Sequence, residues 1–180
     1  MTQASSNTVE VSGGGEGRHA PLFDVSGIDL SARRADRDAI AELNPHRHEM
    51  ALLDAVVWVS DDLRRAVGLV EVRDDQFWVR GHFPGMPMFP GVLMVEAGAQ
   101  VACYLWNLAK DKPSTAAFLR IEDVAFRRSV IPGEDLYILI EEVKNSRRRF
   151  VTDVQGRVGD ETAFSARISG MIIGGRQSDK

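Results

Sequence analysis

The chain has 180 residues, 44% of them hydrophobic, and a net charge of −4 at pH 7. That suits one domain with a sizeable core, and it excludes a chain-wide attraction for nucleic acid, so any acidic partner must meet a local basic patch. A single cysteine, Cys103, excludes an intramolecular disulfide and a cysteine-based metal site and fits a reducing cytoplasm.

Residues 1–20 are rich in Ser, Thr and Gly, cannot bury enough apolar surface to order themselves, and read as a flexible tail. They carry neither a basic nor an apolar run of the secretory kind. Residues 21–173 read as one domain and 174–180 as a second flexible tail. Within the domain, Ser31 is expected to cap a short helix reaching Leu43, where Pro45 disfavours helical geometry at Asn44. Strands are expected at 51–60, 65–72 and 76–80, the last leading into a turn around His82.

Pro90 then pre-sets the backbone for a long helix from Gly91 to about Ala109. Glu96 is the only charged residue among those nineteen. Such a segment is about as long as a membrane span, but Glu96, Gln100 and Asn107 make it read as a buried helix instead. A lone carboxylate in it must find partners or hold its proton. With the imidazole of His82 in the adjoining turn it supplies the ingredients of a general acid/base pair.

Four strand-length runs follow, at 115–126, 135–145, 147–157 and 161–173, with alternating Leu136, Ile138 and Ile140 and alternating Phe164, Ala166 and Ile168. Consecutive strands without intervening helices predict an antiparallel sheet, and the one apolar helix is what it would cover. The class is therefore α+β. No phosphate-binding glycine loop and no His/Cys ligand spacing is present, so neither a nucleotide cofactor nor a metal is expected.

His82-Phe-Pro-Gly85, Pro90-Gly-Val-Leu-Met94 and Glu96-Ala-Gly-Ala-Gln100 resemble the signature of the hot-dog-fold 3-hydroxyacyl-[acyl-carrier-protein] dehydratases of the FabZ and FabA type. Pro45-His-Arg47 with Leu52-Leu-Asp54, and Phe126-Arg-Arg128 with Val130-Ile-Pro-Gly133, look like the flanking motifs. The resemblance spans about residues 40–171. It implies a helix wrapped by a curved sheet and assembly as dimers, with pairing into a trimer of dimers left open. It implies sites at the dimer interface that act on a phosphopantetheine-linked 3-hydroxyacyl chain on acyl carrier protein.

By the same resemblance His82 is the base and Glu96 the acid, the latter supplied by the other subunit. Gly91 offers its amide to the thioester carbonyl, Gln100 orients Glu96, and Phe89 stands at the substrate site. Read alone, His82 would be a turn histidine, Glu96 a structural acid and Gln100 a helix amide bonding only water or backbone. His46 is expected to fix its loop rather than act in chemistry. Arg127, Arg128, Arg147, Arg148 and Arg149 form the main basic density, expected either to dock the acidic carrier protein or simply to face solvent. Phe89, Gly98 and Arg120 depart from the family's usual residues and are expected to line or flank the acyl tunnel. A hot-dog acyl thioesterase and a non-catalytic acyl-binding protein are the rival readings.

Overall fold

The computed structural model describes residues 20–175, so the expected tail at residues 1–19 and residues 176–180 of the second lie outside the described residues. A seven-stranded sheet in the order β1-β2-β3-β5-β6-β7-β4 carries the structure. Its strands are β1 (Ala35–Asp36), β2 (Ala55–Val59), β3 (Arg65–Glu71), β4 (Ser114–Phe126), β5 (Asp135–Asn145), β6 (Arg149–Val158) and β7 (Glu161–Gly175). Every neighbouring pair is antiparallel. Helix α1 spans Arg37–Leu43, and the long helix α2, Gly91–Leu108, lies against the sheet. This is the expected α+β arrangement of one apolar helix covered by one antiparallel sheet.

The helix is seated by two close approaches. Val101 packs onto Gly68 of β3, where a Cβ would stand 2.4 Å from its methyl. In the opposite sense Val154 of β6 packs onto Gly98 of α2, where a Cβ would meet it at 2.5 Å. Both positions therefore need glycine, and together they hold helix and sheet in one relative position. Gly98 thus faces the sheet rather than an acyl tunnel.

β3 lacks polar alternation because both of its faces are covered. Ala66 and Val70 join the core under α2, while Val67 and Leu69 join a second cluster with Phe23, Val57 and Leu139. The covering element there is the segment before β1. Phe23 sits in the cluster, Gln155 clasps both Ala20 and Leu22 through the backbone at 3.0 and 2.9 Å, and Arg65 lies 5.6 Å over the Phe23 ring.

Several boundaries differ from the sequence expectation. Asp36, not Ser31, caps α1, accepting from the Ala39 amide at 2.9 Å, while Ser31 bonds Asp29. No strand forms at 76–80. The Gln76 carbonyl accepts from the Val79 amide and the Trp78 carbonyl from Gly81 and His82, so the chain coils into the turn instead. The strand expected from residue 51 begins only at Ala55, because His48–Met50 forms a 3-10 turn and the Leu52 amide is taken by Gln100. β7 runs two residues past Ile173, pairing Gly174 and Gly175 with Thr115 and Ser114 where a tail was expected. Among the described residues no helix is long and apolar enough to cross a membrane.

Asn107 closes the far end of α2. It is fully buried, donates to the carbonyls of Leu43 (2.9 Å) and Ser114 (3.1 Å), and accepts from the Ser114 amide (2.9 Å). Asn107→Leu strands three part-buried backbone groups and should cost roughly 2–3 kcal/mol. Urea unfolding should show a lower midpoint at an unchanged m-value; a midpoint near that of the wild type would mean that these bonds are replaced.

Candidate active site

The turn before α2 is built around His82. Its amide donates to the Trp78 carbonyl (2.8 Å) and its carbonyl accepts from the Met88 amide (2.9 Å). Its ring Nδ1 lies 2.8 Å from the Met88 carbonyl. A carbonyl can only accept, so Nδ1 carries the hydrogen and Nε2 keeps a free lone pair in the neutral ring. Phe89 is buried, bonds the Val130 carbonyl through its amide (2.7 Å) and packs its ring 5.4 Å from that of Trp78. It anchors the turn and lines the His82 cavity without offering a polar group.

Pro90 heads α2 without a side-chain cap. The Leu93 and Met94 amides bond the Pro90 carbonyl, so the amides at the tip, Gly91 among them, are the helix's unpaired donors at its positive end. A Cβ at Gly91 would stand 2.7 Å from the Phe126 ring, which is why glycine is required here. His82, Met88, Gly91, Val92, Phe126 and Arg127 share a cavity of about 530 Å³.

Glu96 lies one and a half turns along the helix and opens on a different cavity, of about 50 Å³. Within one chain, then, the structure does not bring His82 and Glu96 into the same cavity. Two groups converge on the same oxygen of Glu96: Gln100 Nε2 donates to Oε1 at 2.9 Å, and His46 Nε2 lies 3.3 Å from Oε1. Gln100 is almost wholly buried; its other N–H goes to the Met50 carbonyl (2.7 Å) and its Oε1 accepts from the Leu52 amide (3.0 Å). Gln100 thus holds one oxygen of Glu96 from a side chain whose other bonds are also made.

His46, expected only to fix its loop, is the residue that sequence reasoning missed. Burial pushes its imidazole below its ordinary pKa, against the pull of Glu96, and Arg47 adds to the depression. In a neutral ring with its hydrogen on Nε2, the atom facing Glu96, Nδ1 is left bare, and that atom is buried without a partner. Arg47 is pinned to the carbonyls of Ala41, Asn44 and His46, the natural place for a cation beyond a helix C-terminus. The signal in the sequence was Pro45-His-Arg47, but fifty residues separate His46 from Glu96.

Cys103 borders the Glu96 cavity, and burial, with the nearby Glu96 charge, pushes its thiol up to about 12, so it is chemically quiet. Among the described residues no group of acids, histidines and cysteine could hold a metal. The basic residues do not form one patch within the chain. Arg127 bonds to Ala163 on β7 and Arg149 pairs with Met171 on the same strand, about 27 Å further along at roughly 3.4 Å per residue. Arg128 is committed to Glu134 (2.6 Å) and Glu161 (2.8 Å). That leaves Arg127 as the exposed cation at the His82 cavity, while Arg147, Arg148 and Arg149 sit exposed at the opposite end of the sheet. Arg120 is exposed and pairs with Glu122, away from the cavity beside Glu96.

Because His46 is held neutral in the folded protein, the unfolded chain binds more protons once the pH drops below the ordinary histidine value of about 6.5. The stability associated with neutral His46 is present above that value and is lost as the pH falls toward the depressed folded-state pKa. His46→Gln removes this term, so the melting temperature of the wild type relative to the variant should decline between about pH 7 and 5. A constant difference across that window would mean that His46 is not held neutral.

Comparison with known proteins places the chain. The model of the FabA-like domain matches residues 44–167. The chain is 40% identical over 136 residues to the "3-hydroxyacyl-[acyl-carrier-protein] dehydratase FabZ" of Pelotomaculum thermopropionicum, covering 74% of this chain and 95% of that protein. It is 38% identical over 142 residues to the "Bifunctional enzyme LpxC/FabZ" of Porphyromonas gingivalis, covering 77% of this chain and only 30% of that longer protein. In fold it is similar to the dehydratase heterocomplex ApeI:P from Xenorhabdus doucetiae, with a TM-score of 0.65, 18% identity and coverage of 74% of this chain and 90% of that one. The chain belongs to the FabA-like family of hot-dog proteins.

Proposed function

We propose that the chain dehydrates (3R)-3-hydroxyacyl thioesters carried on acyl carrier protein to trans-2-enoyl thioesters in fatty acid synthesis, in the cytoplasm. The observation that carries the reading is the tautomer of His82. Its Nδ1–H is committed to the Met88 carbonyl, so the basic Nε2 is free in a cavity that also holds the unpaired amide of Gly91. A base beside a ready oxyanion donor is what removal of a proton next to a thioester carbonyl demands.

In the reaction Nε2 of His82 takes a proton from C2. The C–H electrons become the C2=C3 double bond, the C3–O bond breaks, and the departing hydroxyl leaves as water with a proton from Glu96. Charge growing on the thioester oxygen is met by the Gly91 amide and the positive helix end. Gln100 and His46 both address Oε1 of Glu96, which leaves Oε2 to carry the proton.

Since one chain's His82 and Glu96 open on separate cavities, a complete site needs two chains. The edge strand β4 supports such an assembly. Phe118, Leu119, Ile121, Val124 and Phe126 are each at least 40% exposed along it, beside Val92 at 74%. An exposed apolar edge is a liability that an isologous dimer removes. The partner's α2 would then bring its Glu96 to this chain's His82. Carrier protein would approach over Arg127 at the mouth of the His82 cavity.

His82→Ala should fold and lose about 10²–10⁴-fold in kcat/KM. Glu96→Gln should be similarly impaired. Refolding the two variants together in equal amounts should restore about a quarter of wild-type activity, because half the dimers are mixed and each has one intact site. Activity that stays at background would place both groups in one chain.

Arg127→Glu should raise KM for acyl carrier protein substrates, and the wild-type rate on them should fall with salt, while short pantetheine thioesters are unaffected. Equal effects on both substrate kinds would remove Arg127 from docking.

A further inference from the structure

The cavity beside Glu96 has an open and a closed end. Glu96 and His46 stand at the open end, with side chains 19% and 26% exposed, whereas Cys103, Phe150 and Ile168 are buried. On α2 the wall is Glu96, Ala99 and Cys103, spaced three and four residues apart so that they share one face. On β4 it is Ala116 and Ala117, with the exposed Phe118 beside them. Small side chains beside a carboxylate leave room for an apolar tail, and the room ends at Phe150.

Phe150 cannot swing aside. Its ring lies directly on the backbone of Gly170 in β7, so close that a Cβ there would stand 2.5 Å from it. On its other side the Trp106 indole packs at 5.2 Å between ring centroids, and Lys110 covers that indole at 4.0 Å. The ring is therefore held between a bare strand and a covered indole. Close-packed interiors resist the insertion of even a few extra methylenes against such a wall.

Volume then sets the length. The cavity holds about 50 Å³. An apolar protein cavity of ~150 Å³ accepts the six carbons of benzene, so this one takes roughly two carbons, with one to three as the practical range. We propose that the enzyme is selective for short 3-hydroxyacyl thioesters, of about four to six carbons, with Phe150 as the residue that sets the limit. This rests on the reading that Glu96 acts at C3, which puts the first three carbons at the cavity mouth. The residues singled out by departure from the family pattern do not set the limit: Gly98 packs on Val154, Phe89 belongs to the His82 turn, and Arg120 is outside.

The test is a ladder of four-, six-, ten- and fourteen-carbon 3-hydroxyacyl pantetheine thioesters, followed as enoyl formation. The wild type should fall at least about tenfold in kcat/KM between six and ten carbons. Phe150→Leu and Phe150→Ala should raise the ten-to-six ratio by about tenfold. Ala99→Leu, which fills the cavity from the helix without touching the core floor, should lower the six-to-four ratio and keeps the proposal testable if the Phe150 variants do not fold. Comparable wild-type values at four and ten carbons, or length profiles unchanged in folded variants, would overturn the proposal. If the wild type dehydrates nothing at any length, the dehydratase reading fails separately. The length limit is then read from thermal stabilisation by saturated acyl-pantetheine amides: stabilisation lost beyond six carbons supports it, and stabilisation undiminished at ten overturns it.

Discussion

One side-chain amide, that of Gln100, ties the parts of this structure that matter to one another. Its two N–H groups and its carbonyl oxygen are all used: one donor holds Glu96, the other the Met50 carbonyl, and the oxygen takes the Leu52 amide. Its backbone carbonyl accepts from buried Asn44 at 2.8 Å. Gln100 therefore orients the carboxylate and pins the segment between α1 and β2 to the helix, which brings His46 against Glu96. A buried amide with every bond satisfied is rigid, and loss of any partner would leave an unpaired polar group in the core.

The rest of the fold keeps that helix where Gln100 can work. Gly68 and Gly98 let helix and sheet approach closely, and Asn107 binds the end of α2 to α1 and β4. The same logic explains the second core. A sheet that wraps a helix on one face must expose the other, and here Phe23 and its neighbours cover the outer face of β2, β3 and β5. The segment lies outside the residues that match the family model, yet it completes burial of Val67, Leu69 and Leu139.

Chemistry is divided along α2. At the positive tip, bare amides and a histidine with its tautomer locked share one cavity. One and a half turns further, an otherwise apolar stretch presents a carboxylate bonded by Gln100, with the His46 imidazole 3.3 Å away. These ends open on separate cavities of one chain, both bordered by β4, whose exposed apolar run would offer a second chain its seat.

Much of this was legible in the sequence because it rests on local rules. Strand alternation, the lone Glu96 in an apolar helix, Pro90 ahead of Gly91 and the His82 turn all depend on residues close together in the chain. Gln100 could be paired with Glu96 from their spacing of four. What failed were predictions that alternation alone could not decide, because a local turn or a distant partner took the chain. A strand-like run at 76–80 coiled because Trp78 and Gln76 accept turn hydrogen bonds, and the arginines divided because β7 separates Arg127 from Arg149. His46 became a neighbour of Glu96, and Phe150 became the floor of its cavity, only once α1, α2 and β6 packed together. Local pattern and side-chain type were enough for most of the elements, though not for the run at 76–80, and for the chemical identity of the polar groups. Tertiary structure alone decided which groups share a cavity and how deep it is, because contact and volume arise from packing between segments that the chain order keeps far apart.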